Sequence, residues 1–541
     1  MQSESSDLDK LISTKLSDET IQALRAVGVE KHYDKGEVLF ATGEPHTAFW
    51  YLTSAHACVS DPASDRQGFT VEPGQFLGEL GLLQQQNAVL TGTIDGAGLV
   101  LRVELDAFRH LIATDPQASD AIITAFTARR QRMLHRGLGG LTLIGDETDR
   151  SLLPVRQFAS RNRIPHRSLE PHEEEAEDLL SRVETKINPP IAVFGDGSFI
   201  EHPTPSSVAA RLGTQMTIND DTPVDLVVVG GGPGGLAAAV YGASEGLNTL
   251  VIEETAIGGQ AGTSSRIENY MGFPTGISGG DLCWRGEIQA AKFGARFLMP
   301  RRVVGFESSK TYHTLHLDNG RRIQTRAVVV ACGVQYRKLP IDRLEEFESA
   351  GIYYAATELE ARFCRKQPAV VIGGGNSAGQ AAMFLAETSS NVTVLVRGAT
   401  LGETMSDYLS QRLLSHPRIH VQYRTQLDGL DGDTSLASIT ILNNETGERR
   451  SMETKAVFVM IGAAAVTDWL GDRVERDKRG FILTGPEATG STSNFATSCP
   501  GVYAIGDVRA GSVKRVASAV GEGSVVVSAV HSYIADQLAS E

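Results

Sequence analysis

The sequence predicts a multidomain α/β chain in which two dinucleotide-binding units follow a strand-rich N-terminal region. Two glycine fingerprints, Gly230-Gly231-Gly232-Pro233-Gly234-Gly235 and Gly373-Gly374-Gly375-Asn376-Ser377-Ala378, stand 143 residues apart. Each follows a β-branched run and precedes an apolar helical run, which is the strand, turn and helix order of a pyrophosphate cradle. Residues 1–140 instead carry short alternating runs punctuated by Gly36, Gly43, Gly74, Gly78 and Gly81, the pattern of strands joined by tight turns.

At the first fingerprint, Val224-Asp225-Leu226-Val227-Val228-Val229 reads as a buried strand and residues 236–243 as a helix. Gly230 permits the turn and Gly232 lets backbone N–H groups approach phosphates. Gly235, after Pro233 and Gly234, lets the helix pack on the strand, and the helix dipole favours the anion. The next strand, 249–252, ends in Glu253, where a carboxylate can bond a ribose hydroxyl. At the second fingerprint, Val371-Ile372 leads through Gly373 and Gly375 into a helix opened by Asn376 and Ser377, with Ala378 in place of the third glycine. That substitution resembles NADP-binding versions of the motif. The following strand, 392–396, ends in Arg397 and not in an acid, so a 2′-phosphate is favoured where a carboxylate would repel it. NADPH is therefore the expected nucleotide, with NADH the alternative.

Length and composition set outer bounds. At 541 residues the chain exceeds one core, and three or four domains are expected. Its net charge of −15 argues against a nucleic-acid partner. The basic run Arg129-Arg130-Gln131-Arg132-Met133-Leu134-His135-Arg136 is expected as a solvated helix end. The five cysteines, Cys58, Cys283, Cys332, Cys364 and Cys499, include no close pair, which fits a reducing cytoplasm and provides neither disulfide framework nor metal site. The N-terminal residues have no cationic or apolar signal region. Residues 224–243 are the most membrane-like stretch, but their five-glycine centre and Asp225 fit a nucleotide turn and not a spanning helix, so no membrane association is expected.

Further segments follow in a telling order: Gly258-Gly259-Gln260, then Ile267-Glu268-Asn269-Tyr270-Met271-Gly272-Phe273-Pro274, and finally Gly501-Val502-Tyr503-Ala504-Ile505-Gly506-Asp507 with Lys514-Arg515-Val516-Ala517. With the two fingerprints, they make residues 222–541 resemble the low-molecular-weight thioredoxin reductases. The resemblance implies FAD as cofactor, with Gly259, Gln260 and Asn269 on the flavin side. It also implies Gly506 and Asp507 at the ribityl chain, and Arg515, Val516 and Ala517 at a helix N-terminus facing the flavin pyrimidine. It implies further that the nicotinamide domain is inserted in the flavin domain and that the protein is a homodimer. Members of that family carry Cys-Ala-Thr-Cys at the start of the nicotinamide domain. Here Ala355-Ala356-Thr357-Glu358 stands in its place. Alanine cannot exchange a disulfide. Cys364 and Cys332 read as packed thiols, and Glu358 and Glu360 as a solvated helix face. No general acid or base is assignable.

In the N-terminal region, Tyr33-Asp34-Lys35-Gly36-Glu37 and Gly74-Gln75-Phe76-Leu77-Gly78-Glu79-Leu80-Gly81 resemble the cyclic-nucleotide-binding jelly-roll barrel. Gly78 and Glu79 are the expected ligand positions for a small-molecule effector. The phosphate-holding Arg-Ser or Arg-Thr pair of that family falls on Val89-Leu90, and residues 106–136 are expected as the relaying helix. Between 139 and 214 the order strand, helix, helix, Pro189-Pro190, strand, turn, strand, helix resembles a thioredoxin or glutaredoxin-like module, which implies a proline in the cis form before the third strand. Gly145-Asp146-Glu147-Thr148-Asp149-Arg150 occupies the place of its cysteines. Residues 214–223 are polar and read as a linker.

The expected fold class is thus a jelly-roll barrel over 1–138, a cysteine-free thioredoxin-like α/β module over 139–214, and two nested Rossmann-like domains. These are an FAD-binding domain over 222–336 and 464–541 and an NAD(P)H-binding domain over 337–463. The expected function is a cytoplasmic FAD-dependent oxidoreductase that takes hydride from NADPH and passes electrons to an unidentified acceptor, with a ligand at the barrel regulating it. Two other readings stay open: a flavin-bound sensor with little turnover, and a disulfide reductase that borrows a partner's thiols.

Overall fold

The computed structural model describes residues 11–62, 67–136, 140–146, 149, 151–181, 189–214, 223–264, 266–336, 338–348, 350–354, 356, 358–401, 405–486 and 493–540. The N-terminal region folds as two four-stranded antiparallel sheets. One orders Val29–Tyr33, Gly98–Glu104, Ala48–Leu52 and Phe76–Leu77, and the other Val38–Phe40, Thr91–Gly96, His56–Ser60 and Gln67–Val71. Every residue of Ala48–Leu52 is buried. Its Phe49 ring stacks on Phe108 of the Leu105–Thr114 helix at 4.6 Å, so one face of the strand packs on the helices.

The relaying helix expected over 106–136 is instead two helices, Leu105–Thr114 and Pro116–Arg136. Pro116 cannot donate to the helical ladder, and Asp115 Oδ1 accepts from the N–H groups of Gln117 (2.9 Å) and Ala118 (3.0 Å), capping a new start. The basic run is also corrected. Arg129 and Arg130 are only 3% and 5% exposed, because they share the inward stripe of Ile122, Phe126 and Met133.

The middle region is a four-stranded sheet ordered Arg167–Leu169, Leu141–Ile144, Ile191–Phe194, Phe199–Glu201. Its first pair is parallel and the others antiparallel. The helices Leu153–Arg161, Glu174–Ser181 and Pro205–Arg211 complete it, and the Pro189–Pro190 peptide is cis.

The remaining chain builds two parallel-stranded units. Strands Arg296–Leu298, Thr249–Ile252, Val224–Val229 and Arg322–Val330 run parallel in a seven-stranded sheet, which Val502–Ala504 joins beside Arg322–Val330. Between these strands the chain leaves to form a five-stranded parallel sheet, ordered Ile352–Tyr353, Val457–Val459, Pro368–Ile372, Asn391–Val396, Ile419–Tyr423. One unit is inserted in the other. The central strands are mostly buried Val, Ile and Leu, as both-face burial demands.

The regions share cores. One apolar cluster links Phe49, Phe76 and Phe126 of the N-terminal region to Trp284 and Ile288 on the Gly279–Lys292 helix, and another links Trp50 to Phe158 and Phe194. At the first seam Gln84 Nε2 donates to Glu287 Oε1 at 2.7 Å. Burial pushes the Glu287 carboxyl up to about 7 despite that bond. The folded protein therefore holds a proton that the unfolded chain releases, so stability falls as pH rises from about 4.5 to about 7 and is level above. Glu287→Gln keeps an acceptor for Gln84 and is expected to stabilise the protein near pH 8 by on the order of 2 to 3 kcal/mol, with no gain near pH 4. Thermal melts at the two pH values check this, and an equal effect at both would refute it.

Candidate functional site

The Val224–Val229 strand delivers the chain to Gly230, whose φ of 109° suits glycine. A Cβ at Gly235 would lie 1.9 Å from the Gly230 carbonyl oxygen, so the Pro233–Ser244 helix approaches the turn as only glycine allows. Gly232 caps that helix without a side-chain bond, and a Cβ there would meet nothing within 4 Å. The first N–H groups of the helix are thus available at an open cradle.

Glu253 stands at the end of the Thr249–Ile252 strand and ties the turn to the next loop. Its Oε2 accepts from Gly231 N–H (2.7 Å) and its Oε1 from Thr255 (3.0 Å) and Ala256 (3.3 Å). Gly258 N–H donates to Gly231 O at 2.8 Å, which lays the 255–260 loop across the turn. Gly259 faces Gly232 across the cradle, its Cβ position 3.3 Å from Gly232 Cα. Gln260 Nε2 donates to Val334 O.

Gly230, Gly232, Glu253, Gly259 and Gln260 line a cavity of 2080 Å³, together with Pro233, Gly234, Asn269, Gly506, Asp507, Arg515, Val516 and Ala517. The Asp507 carboxyl is pushed up by burial, with Lys514 opposing the shift and Glu522 adding to it. Glu522, on the Val516–Ser540 helix, accepts from Gly506 N–H (2.6 Å) and from Arg509 (2.7 Å), which fixes the turn that carries Asp507.

The second fingerprint opens on the same cavity through Asn376 and Ser377. Gly373 has a φ of 142°, and its Cβ would lie 2.3 Å from Met460 O. Gly375 caps the Asn376–Thr388 helix, and Ala378 is buried against the Gly373 turn. Gly235, Gly373, Gly375, Ala378 and Arg397 do not line the cavity; Arg397 stands exposed beyond the Asn391–Val396 strand.

Of the segment in the dithiol position, Ala355 and Thr357 lie outside the described residues, while Ala356 is buried and lines the cavity. Glu360, expected on a solvated face, is 6% exposed. The Leu153–Arg161 helix covers it, and Gln157 Nε2 donates to its Oε1 at 3.4 Å. Cys364 is fully buried, with Ser389 Oγ donating to its sulfur at 3.4 Å. Cys332 lines the cavity, but burial pushes its thiol up to about 12, far from the thiolate form. Among the described residues no cluster of three metal-ligating side chains occurs, and no helix is long and apolar enough to cross a membrane.

In the N-terminal region, Gly78 and Glu79 are engaged by the chain's own arginines. Arg130 reaches Glu79 Oε2 through Nε (3.0 Å) and Nη2, while Glu79 Oε1 accepts from Gly81 N–H (2.7 Å). Arg129 donates to the carbonyls of Gly78 (3.0 Å) and Phe76 (2.8 Å). The cavity beside them, lined also by Val89 and Leu90, measures 20 Å³, where drug-sized ligands occupy roughly 300 Å³ or more.

The sequence reading missed two sets of residues: Arg129 and Arg130, and the Arg161-Asn162-Arg163 run that contacts the 255–260 loop and Asp281. A helical-wheel reading of 118–133 could have found the first pair, since both fall beside the apolar stripe. Nothing local marks the second.

Residues 224–523 match the family described as pyridine nucleotide-disulphide oxidoreductase, and residues 30–115 match the cyclic nucleotide-binding domain. The chain is 35% identical over 316 residues to a thioredoxin reductase of Treponema pallidum, which covers 58% of this chain and 98% of that protein. Among solved structures, Lactococcus lactis thioredoxin reductase in its FR conformation superposes with a TM-score of 0.54 at 28% identity, covering 58% of this chain and 99% of that one. Thioredoxin reductase of T. acidophilum gives 0.53 at 27%, with the same 58% and 99% coverage.

Proposed function

The chain belongs to the pyridine nucleotide-disulphide oxidoreductases, and from that premise we propose an FAD-dependent NADPH oxidoreductase whose electrons leave without a cysteine relay. The observation that carries this is one cavity onto which both glycine fingerprints open, in a chain whose sequence has no closely spaced cysteine pair. The sequence contains no Cys-x-x-Cys, and the thiol that lines the cavity, Cys332, is pushed up to about 12 by desolvation.

The residues fit FAD. Gly230, Gly232 and the helix opened by Pro233, Gly234 and Gly235 would hold the pyrophosphate, and Glu253 the ribose. Gly259, Gln260 and Asn269 would flank the ring, Gly506 and Asp507 the ribityl chain, and Arg515, Val516 and Ala517 the pyrimidine. When bound, FAD supplies two-electron transfer between a nicotinamide and an acceptor. Gly373, Gly375, Asn376, Ser377 and Ala378 would take the nicotinamide nucleotide. Arg397, exposed at its strand end, favours a 2′-phosphate and hence NADPH over NADH.

We read the N-terminal sheets as a jelly roll and the middle sheet, by its strand order and helix placement, as thioredoxin-like. That module packs on Glu360 through Gln157, shortly after the position at which the resemblance places a dithiol, which favours a small acceptor over a second redox protein. The balance is NADPH, one proton and an oxidised two-electron acceptor giving NADP⁺ and the reduced acceptor. A nucleotide effector at the barrel would have to displace the Arg130–Glu79 pair, so the barrel serves first as a structural joint.

Anaerobic NADPH is expected to bleach the flavin absorbance, and air or a quinone to restore it rapidly, equally well after the accessible cysteines are alkylated. NADH should bleach only at higher concentration. Bound FAD that NADPH does not bleach would instead favour a sensor.

A further inference from the structure

We propose that Arg161-Asn162-Arg163, in the thioredoxin-like module, is a clamp that positions the 255–260 loop and so sets the width of the FAD cradle. This rests on the reading that the Gly230–Gly235 turn and this loop hold FAD. On its inner side the loop is tied to the turn by Glu253 and by the Gly258 to Gly231 bond. Its outer side is bonded by the module. Asn162 Oδ1 accepts from Ile257 N–H at 3.4 Å, and its Nδ2 donates to Thr255 O at 3.3 Å. Arg161 Nη2 donates to Gly259 O at 3.1 Å, and Gly259 is the wall that faces Gly232.

The clamp is itself anchored. Asn162 Nδ2 also donates to Phe158 O at 2.9 Å. Arg163, whose φ is 51°, turns the chain so that its guanidinium lies 4.4 Å from the Trp284 ring and pairs with Asp281. Its carbonyl accepts from Arg130 Nη1 at 3.3 Å. The same three residues therefore join the barrel helix, the Gly279–Lys292 helix and the cofactor loop. Without the clamp the loop keeps its inner bonds but loses its outer restraint, and FAD must order it on binding.

The test is FAD affinity of full-length protein, stripped of flavin and retitrated, beside the visible circular dichroism of the bound flavin. Asn162→Ala should weaken FAD about tenfold and change the flavin dichroism, and Arg161→Ala should weaken it about threefold. Asn162→Asp keeps the acceptor for Ile257 but sets a carboxylate oxygen against the Thr255 and Phe158 carbonyls, so it should weaken FAD at least as much as Asn162→Ala. The thermal midpoint of the flavin-free variants should stay at the wild-type value. Asn87→Ala, which removes a different contact of this module with the barrel (Asn87 Nδ2 to Arg211 O, 3.1 Å), should leave FAD affinity unchanged. Wild-type affinity in both Asn162→Ala and Arg161→Ala would overturn the clamp. A matching drop in the flavin-free midpoint would also overturn it, reducing the contacts to plain packing. Failure of the wild type to bind FAD at all would overturn the assignment of the loop on which the clamp rests.

Discussion

Gly232→Ala is expected to purify without yellow colour, to bind added FAD about 100-fold more weakly, and to melt at the temperature of flavin-free wild type. The reasoning separates two demands on glycine that usually coincide. At Gly232 the backbone is ordinary extended structure, φ −71° and ψ 179°, which any residue adopts. A Cβ there meets no atom within 4 Å. The fold therefore does not require glycine at this position. A phosphate bonded to backbone N–H groups does, because a methyl group on the cradle wall holds the anion beyond hydrogen-bond distance. Gly235 is the contrasting case. A Cβ at 1.9 Å from Gly230 O forces the Pro233–Ser244 helix off the turn, so Gly235→Ala should lose both FAD and thermal stability, the latter by about 1 to 3 kcal/mol. Absorbance spectra and melts of the two proteins decide the matter. Full flavin content in Gly232→Ala would remove the pyrophosphate assignment.

The contrast between those glycines also marks how far the sequence could be read. Strand, Gly-rich turn and helix obey a local grammar, so the turn at Gly230 and the close helix approach at Gly235 were legible, as was the place of Glu253 at the strand end, while the insertion of one parallel-stranded unit in the other was legible only through the family resemblance. Contacts between distant segments were not. Glu360 read as solvated because its own helix is polar around it, yet the Leu153–Arg161 helix, some 200 residues earlier in the chain, covers it. Asn162 carries no motif, and its partners Thr255 and Ile257 are recognisable only once the module docks. The basic run misled for a different reason. Charge density suggested solvent, but helical phase decided the outcome: Arg129 and Arg130 follow Ile122 and Phe126 on the inward stripe, and the barrel interior supplies Glu79 and backbone carbonyls to receive them.

That inward pair is the second place where a large effect is expected. Arg130→Met should destabilise the protein by about 3 to 5 kcal/mol at neutral pH, because it leaves the Glu79 carboxylate buried with only Gly81 N–H as partner. Glu79→Leu combined with Arg130→Met removes both charges from the same dry volume and should recover most of the loss. The pH dependence has a definite sign. Burial acts to raise the Glu79 carboxyl, but Arg130, by charge and by hydrogen bond, together with the nearby His46 and the Gly81 N–H, outweighs it and holds the group below its ordinary value. Its contribution is therefore complete above about pH 4.5 and is lost as pH falls through the lowered folded value. His46, kept neutral by burial, adds a loss of the same sign below about 6.5 as the unfolded chain takes up a proton that the folded one refuses. Denaturant titrations of wild type, Arg130→Met and the double variant at pH 7 and near pH 4 check both parts. Near pH 4 the gap between wild type and Arg130→Met should narrow, since the stranded carboxyl of the variant can protonate at little cost. If Arg130→Met were as stable as wild type at pH 7, the Arg130–Glu79 pair would not be what stabilises this buried site.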